Sequence, residues 1–144
     1  MKLSENFTLE ELTYSNYAES NKIQNLFDAS IVNNLQELVL GLLQPFREFY
    51  GLSIRVTSGF RCEALNKALN GANKSAHKVG FAADLQPIDD TMDNFVDAWN
   101  RFIKEKKPKF DEILIEKSKS QTWVHAAIKS IDGKQRQKNF ELNV

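Results

Sequence analysis

An α+β domain, with a mostly antiparallel sheet packed against two main helices, is the fold class this sequence predicts. Two long stretches, 31–49 and 91–103, carry apolar residues three and four apart, the period of a helix with one buried face. Between and after them stand short segments rich in β-branched residues and bounded by Gly, Pro and Asn, the pattern of strands. At 144 residues the chain is expected to form one domain, 1–144, large enough for a real core.

Thr8-Leu9-Glu10-Glu11 is a capping-box pattern, so a short helix over about 8–13 is expected, with Phe7 and Leu12 facing inward. Residues 14–27 are polar with scattered aromatics and read as a loop laid over the body. Asp28 or Ser30 can cap the first main helix, whose stripe is Ile31, Leu35, Leu38, Val39, Leu42, Leu43, Phe46 and Phe49. Pro45 falls inside it and should kink it near Leu42; Gly51 ends it. Ser53 to Ser58 is a strand by its β-branched content. Cys62 to Leu69 is a short helix, and Asn70-Gly71-Ala72-Asn73-Lys74 a turn-rich loop. Phe81 to Gln86 is the next strand. Thr91 caps the second main helix, with Phe95, Ala98, Trp99, Phe102 and Ile103 buried and Pro108 stopping it. Glu112 to Glu116 and Thr122 to Ile128 form a hairpin, and Gln137 to Leu142 adds an edge.

Nineteen basic residues balance nineteen acidic ones, which removes any bulk electrostatic case for nucleic acid or an anionic membrane. The single Cys62 cannot form an internal disulfide. No apolar run approaches the roughly 18–20 residues of a membrane span, and the first residues lack a signal-peptide apolar region. The lysines at 104–109 and at 117 and 119 read as solvated surface.

The chemistry concentrates in Ser75-Ala76-His77-Lys78-Val79-Gly80-Phe81-Ala82-Ala83-Asp84, where an imidazole and a carboxylate flank a glycine-containing turn. The only other histidine, His125, lies in Thr122-Trp123-Val124-His125-Ala126. On that strand it faces opposite to Val124 and Ala126 and the same way as Trp123. Two nitrogens and one oxygen, with a fourth position left for water, suit an open catalytic zinc site. His-x6-Asp alone is a weak signal.

The neighbouring residues add to it. Ser58-Gly59-Phe60-Arg61, then Leu65-Asn66, then Ser75-x-His77-x-x-Gly80-x-Ala82-x-Asp84, then Phe110-Asp111-x-x-Leu114-Ile115, then Trp123-Val124-His125 follow in order. This set resembles the zinc D-alanyl-D-alanine carboxypeptidase family, specifically its small peptidoglycan-cleaving members of phages and bacteria, over roughly residues 7–128. The resemblance implies a Hedgehog/DD-peptidase-like fold and one zinc ion per chain, held by His77, Asp84 and His125. It places the family's substrate-binding and oxyanion-stabilising arginine on Arg61, a role suited to a guanidinium that is always charged and offers fixed donors. It implies a peptidoglycan stem peptide as substrate, cut as a D-Ala-D-Ala carboxypeptidase or an L-Ala-D-Glu endopeptidase would cut it. The expected setting is a phage-encoded or virion-associated monomer acting at the cell wall rather than a Sec-secreted enzyme.

One position departs from the family pattern. Many members carry Glu or Asp three residues before the last histidine as general base; here that residue is Thr122. Glu116, closing the preceding strand, is the substitute. With Leu114 opposite His125, Glu116 lies opposite Trp123 on the ligand's face, and a slip of one residue would turn it away. Glu112 shares that face two pairs further along and ranks lower. Ser75 either bonds substrate or fixes its loop, and Trp123 either lines the substrate cleft or packs. Cys62 has no third histidine to activate it, which argues against a cysteine nucleophile. A different class of function stays open: a non-catalytic phage structural or cell-wall-binding protein that keeps the fold and the zinc site.

Overall fold

The computed structural model describes residues 1–139, and its architecture follows the alternation of helical and strand patterns in the sequence. Helix α1 (Leu9–Thr13) begins at a reciprocal capping box: Glu11 N–H donates to Thr8 Oγ1 (3.2 Å), and Thr8 N–H donates to Glu11 Oε1 (2.9 Å). The stretch expected to be a loop contains one helical turn, α2 (Asn16–Ser20). Ser15 caps it and only Ala18 is buried, so a turn this short leaves no apolar period in the sequence.

The first main helix runs as α3 (Ala29–Leu38), a π-helical turn (Val39–Leu43) and α4 (Gln44–Tyr50). Asp28 is the cap, accepting from Ile31 N–H at 3.1 Å. The interruption falls where Pro45 was expected to act. Proline has no N–H to donate and its ring crowds the carbonyl four residues back; the turn widens, and Gln44 N–H reaches the Val39 carbonyl instead. Gly51, at φ 81°, ends the helix with its N–H on the Arg47 carbonyl. Thr91 caps α6 (Met92–Lys106), which follows α5 (Glu63–Ala68) in the chain. The two main helices meet through aromatic rings: Phe46 stacks on Trp99 at 3.6 Å and meets the edges of Phe95 and Phe102.

Among the described residues five strands form one mixed sheet: β1 (Ile54–Ser58), β2 (Ala82–Pro87), β3 (Glu112–Lys117), β4 (Thr122–Ala127) and β5 (Lys138–Asn139). The order is β1-β2-β4-β3-β5, antiparallel except for the β3–β5 edge. The expected edge strand is present in its first residues; 140–142 lie outside the described residues. Ala83, Leu85, Val124 and Ala126 are buried on the face that α6 covers, and the alternate residues form the other face. This is the α+β arrangement of a Hedgehog/DD-peptidase-like fold. Among the described residues no helix is long and apolar enough to cross a membrane.

Candidate active site

The two central strands put the key residues side by side. Asp84 of β2 pairs directly with His125 of β4, and Leu114 of β3 pairs with His125 from the other side. His77 arrives from a 3-10 turn, Ala76–Val79, which Ser75 caps by accepting from His77 N–H at 3.2 Å. Gly80, at φ 84°, ends that turn and returns the chain into β2; a Cβ there would lie 3.2 Å from the Ile31 carbonyl oxygen. His77 Nε2 lies 3.2 Å from Asp84 Oδ1, and His125 Nδ1 lies 3.1 Å from the same oxygen. All three side chains are buried.

Hydrogen positions decide whether this set suits a metal. His77 Nδ1 lies 2.7 Å from the Gly59 carbonyl oxygen, which can only accept, so Nδ1 carries the hydrogen. In the neutral ring Nε2 then presents a lone pair to Asp84 Oδ1, another acceptor. Groups turned toward one another in this way need a shared cation. Two imidazole nitrogens and one carboxylate oxygen, all within 4.8 Å of one another, fit a divalent ion of the zinc type. The electrostatics of the cluster agree. Burial alone would raise the Asp84 pKa, but the electrostatic pull of His77 and His125 outweighs it and holds the carboxyl well below its ordinary range. Burial alone would lower the His125 pKa, but Asp84 and Glu112 together raise it to about 10. Carboxylates that draw a proton this strongly also draw a metal cation.

Arg61 stands beside this cluster in a rigid setting. Its Nε donates to Ser58 Oγ (3.0 Å), Nη1 to Asn66 Oδ1 (3.3 Å) and Nη2 to Asp84 Oδ2 (3.2 Å). Among the described residues three of the five guanidinium donors are engaged, which leaves two for a ligand. The loop that carries Arg61 is clamped on every side. Phe60 N–H donates to the Leu12 carbonyl at 2.8 Å, Arg61 N–H to the His77 carbonyl at 3.0 Å, and Cys62 N–H to Asn25 Oδ1 at 2.7 Å. A Cβ on Gly59 would sit 2.2 Å from the Leu12 carbonyl oxygen, so only glycine fits that approach.

Arg61, His77, Asp84 and His125 line a cleft of about 460 Å³ that also takes in Ser75, Lys74, Glu112, Glu116, Trp123 and Arg136, a size suited to a small ligand. The β3–β4 register pairs Leu114 with His125, the condition on which Glu116 was placed, and sets Glu116 opposite Trp123. Trp123 Nε1–H donates to Glu116 Oε1 at 2.8 Å. Thr122 lies on the other side of the sheet, beside Ile115, Lys117 and residues of α6. Glu112, ranked behind Glu116 from the sequence, lies closer to a histidine than the strand diagram suggests: its Oε1 is 3.5 Å from His125 Nε2. Asp111 and Arg136 were not singled out as site residues. Asp111 stood only as part of a motif, and Arg136 lies in a loop segment without period.

A family model described as Peptidase M15 matches residues 5–127. The chain belongs to the peptidase M15 family. Among curated proteins none matches this M15 chain. The match spans α1 to β4, and with them every residue from Arg61 to His125 named above. It ends before the segment that carries Arg136.

Proposed function

We propose that this M15-family chain is a zinc metallopeptidase that hydrolyses a peptide bond in peptidoglycan stem peptides, with one zinc ion held by His77, Asp84 and His125. The observation that carries the reading is the convergence of His77 Nε2, Asp84 Oδ1 and His125 Nδ1 on the wall of a cleft that also holds a fixed arginine and the Glu116 carboxylate. When bound, zinc would polarise the scissile carbonyl and lower the pKa of a water molecule. The chain's own residues supply the remaining steps. Glu116 has Oε1 fixed by Trp123, which leaves Oε2 to take the proton of the attacking water and return it to the leaving amine. The two remaining Arg61 donors hold the substrate carbonyl oxygen and the negative charge that develops on it. Ser75 fixes the His77 turn through its cap and presents its edge to the cleft, and Trp123 both orients Glu116 and lines the cleft.

The peptidoglycan substrate is supported by the resemblance of the linked motifs to the D-alanyl-D-alanine carboxypeptidase type. Whether the scissile bond is D-Ala-D-Ala or L-Ala-D-Glu depends on how the cleft accepts the chain on each side of that bond. A second reading, a cell-wall-binding or phage structural protein without catalysis, draws on Thr122, which turns to the α6 side where an acid is usual. The deciding experiment measures D-alanine and new amino groups released from purified cell wall, with and without a chelator. Release that stops on chelation and returns with zinc is the expected result. A zinc-loaded chain that binds cell wall and releases nothing would replace the peptidase with the binding protein.

A further inference from the structure

We propose that Glu112 and Arg136 are positioning residues for the metal-facing imidazole of His125, so that the segment after residue 127 completes the metal centre. The inference rests on the reading of His77, Asp84 and His125 as metal ligands. His125 presents Nδ1 to Asp84 Oδ1 (3.1 Å), and its other nitrogen, Nε2, is 3.5 Å from Glu112 Oε1. A carboxylate at Nε2 keeps the hydrogen there, leaves the lone pair on Nδ1 and raises the basicity of the ligand. The second oxygen of Glu112, Oε2, is 3.4 Å from Arg136 Nη2. With one oxygen at ion-pair distance from His125 and the other from Arg136, Glu112 stands outside the ligand cluster.

Arg136 is itself fixed. Its Nε and Nη2 donate to the two oxygens of Asp111 at 2.8 Å each, and its backbone N–H donates to Asp111 Oδ1 at 3.0 Å. A bidentate pair of this kind sets orientation as well as charge. Asp111 is buried, and the chain around Arg136 is docked by Gln137 N–H on the Phe110 carbonyl (3.1 Å) and Lys138 N–H on the Asp111 carbonyl (2.8 Å). A relay from Asp111 through Arg136 and Glu112 to His125 therefore ties the edge of the sheet to its centre. Its arginine lies beyond the residues the family model matches.

The test compares wild type with E112A, E112Q and R136M by zinc affinity, in competition with a chromogenic chelator, and by nitrogen-15 spectra of the zinc-loaded chain. Removing such an outer partner costs roughly 10- to 100-fold in metal affinity. E112A is expected to lose that much, together with the exchange-protected Nε2–H signal of His125. The Nδ1–H signal of His77, on the Gly59 carbonyl, should remain. R136M should fall between, and E112Q, whose amide oxygen can still accept from Nε2, should keep the signal and most of the affinity. E112A that binds zinc as tightly as wild type, or that loses both imidazole signals together, overturns the inference. R136M indistinguishable from wild type overturns the part given to the arginine. A wild-type chain that takes up no zinc overturns the ligand assignment itself, and the relay with it.

Discussion

Glu116, Arg61 and the two histidines are each oriented by named neighbours: Trp123 for Glu116, Ser58, Asn66 and Asp84 for Arg61, the Gly59 carbonyl for His77 and Asp84 for His125. Glu116→Gln keeps the acceptor for Trp123 Nε1–H but cannot take a proton. Turnover should fall by about 10²- to 10⁴-fold while zinc content measured by metal analysis stays at one per chain; undiminished turnover would move the base elsewhere. Arg61→Lys keeps the charge and loses the fork that reaches Ser58, Asn66 and Asp84 together. A drop in kcat with little change in the circular dichroism spectrum is expected. At this scale the sequence showed the residue types and their alternation along β4. It did not show which ring nitrogen of each histidine faces Asp84, because the Gly59 carbonyl that fixes His77 is 18 residues away in the chain.

Elements supply the precision that the side chains use. Asp84 and His125, on paired central strands, inherit their spacing from the ladder, which is why the register mattered more than any single residue. The sequence left the pairing of Leu114 with His125 as a condition, since a slip of one would turn Glu116 to the other face; the ladder meets that condition. The π-turn was legible only as a kink at Pro45. Its exact form depends on which carbonyl Gln44 N–H can reach. Thr91→Ala should lower stability by about 1 kcal/mol, seen as a lower urea midpoint, because α6 loses the cap on Asn94 N–H. Gly71→Ala tests the loop that supports Arg61. A Cβ there would sit 2.1 Å from Asn66 Oδ1, the atom that accepts from Arg61 Nη1. The amide must move, and kcat/KM should fall by about tenfold, or about 1.4 kcal/mol, with a smaller change in the urea midpoint; unchanged kcat/KM would separate Asn66 from the positioning of Arg61.

Across the whole molecule the buried Asp111 links acid stability to the docking of residues 130–138. Burial would raise its pKa, but Arg136 outweighs burial and holds it below 3.8. Its contribution is therefore present above the ordinary aspartate range and is lost as pH falls through the lower folded value. Urea midpoints should drop more steeply below about pH 4 for wild type than for Asp111→Asn; parallel pH profiles would remove the ion pair from the acid response. Zinc should raise the melting temperature with a logarithmic dependence on free zinc, as binding to the folded state alone requires, and His125→Ala should abolish the rise. By itself the sequence determined the α+β class, the two helices with their caps and stops, the faces of the central strands and the motif residues, because these rest on local periodicity and on residue types near one another in the chain. Only the tertiary structure decided that Glu112 backs His125, that Arg136 reaches Asp111 across 25 residues and that Thr122 points away from the cleft. Those facts depend on how a strand edge, a loop and a sheet face come together in space, and a linear pattern carries no record of such meetings.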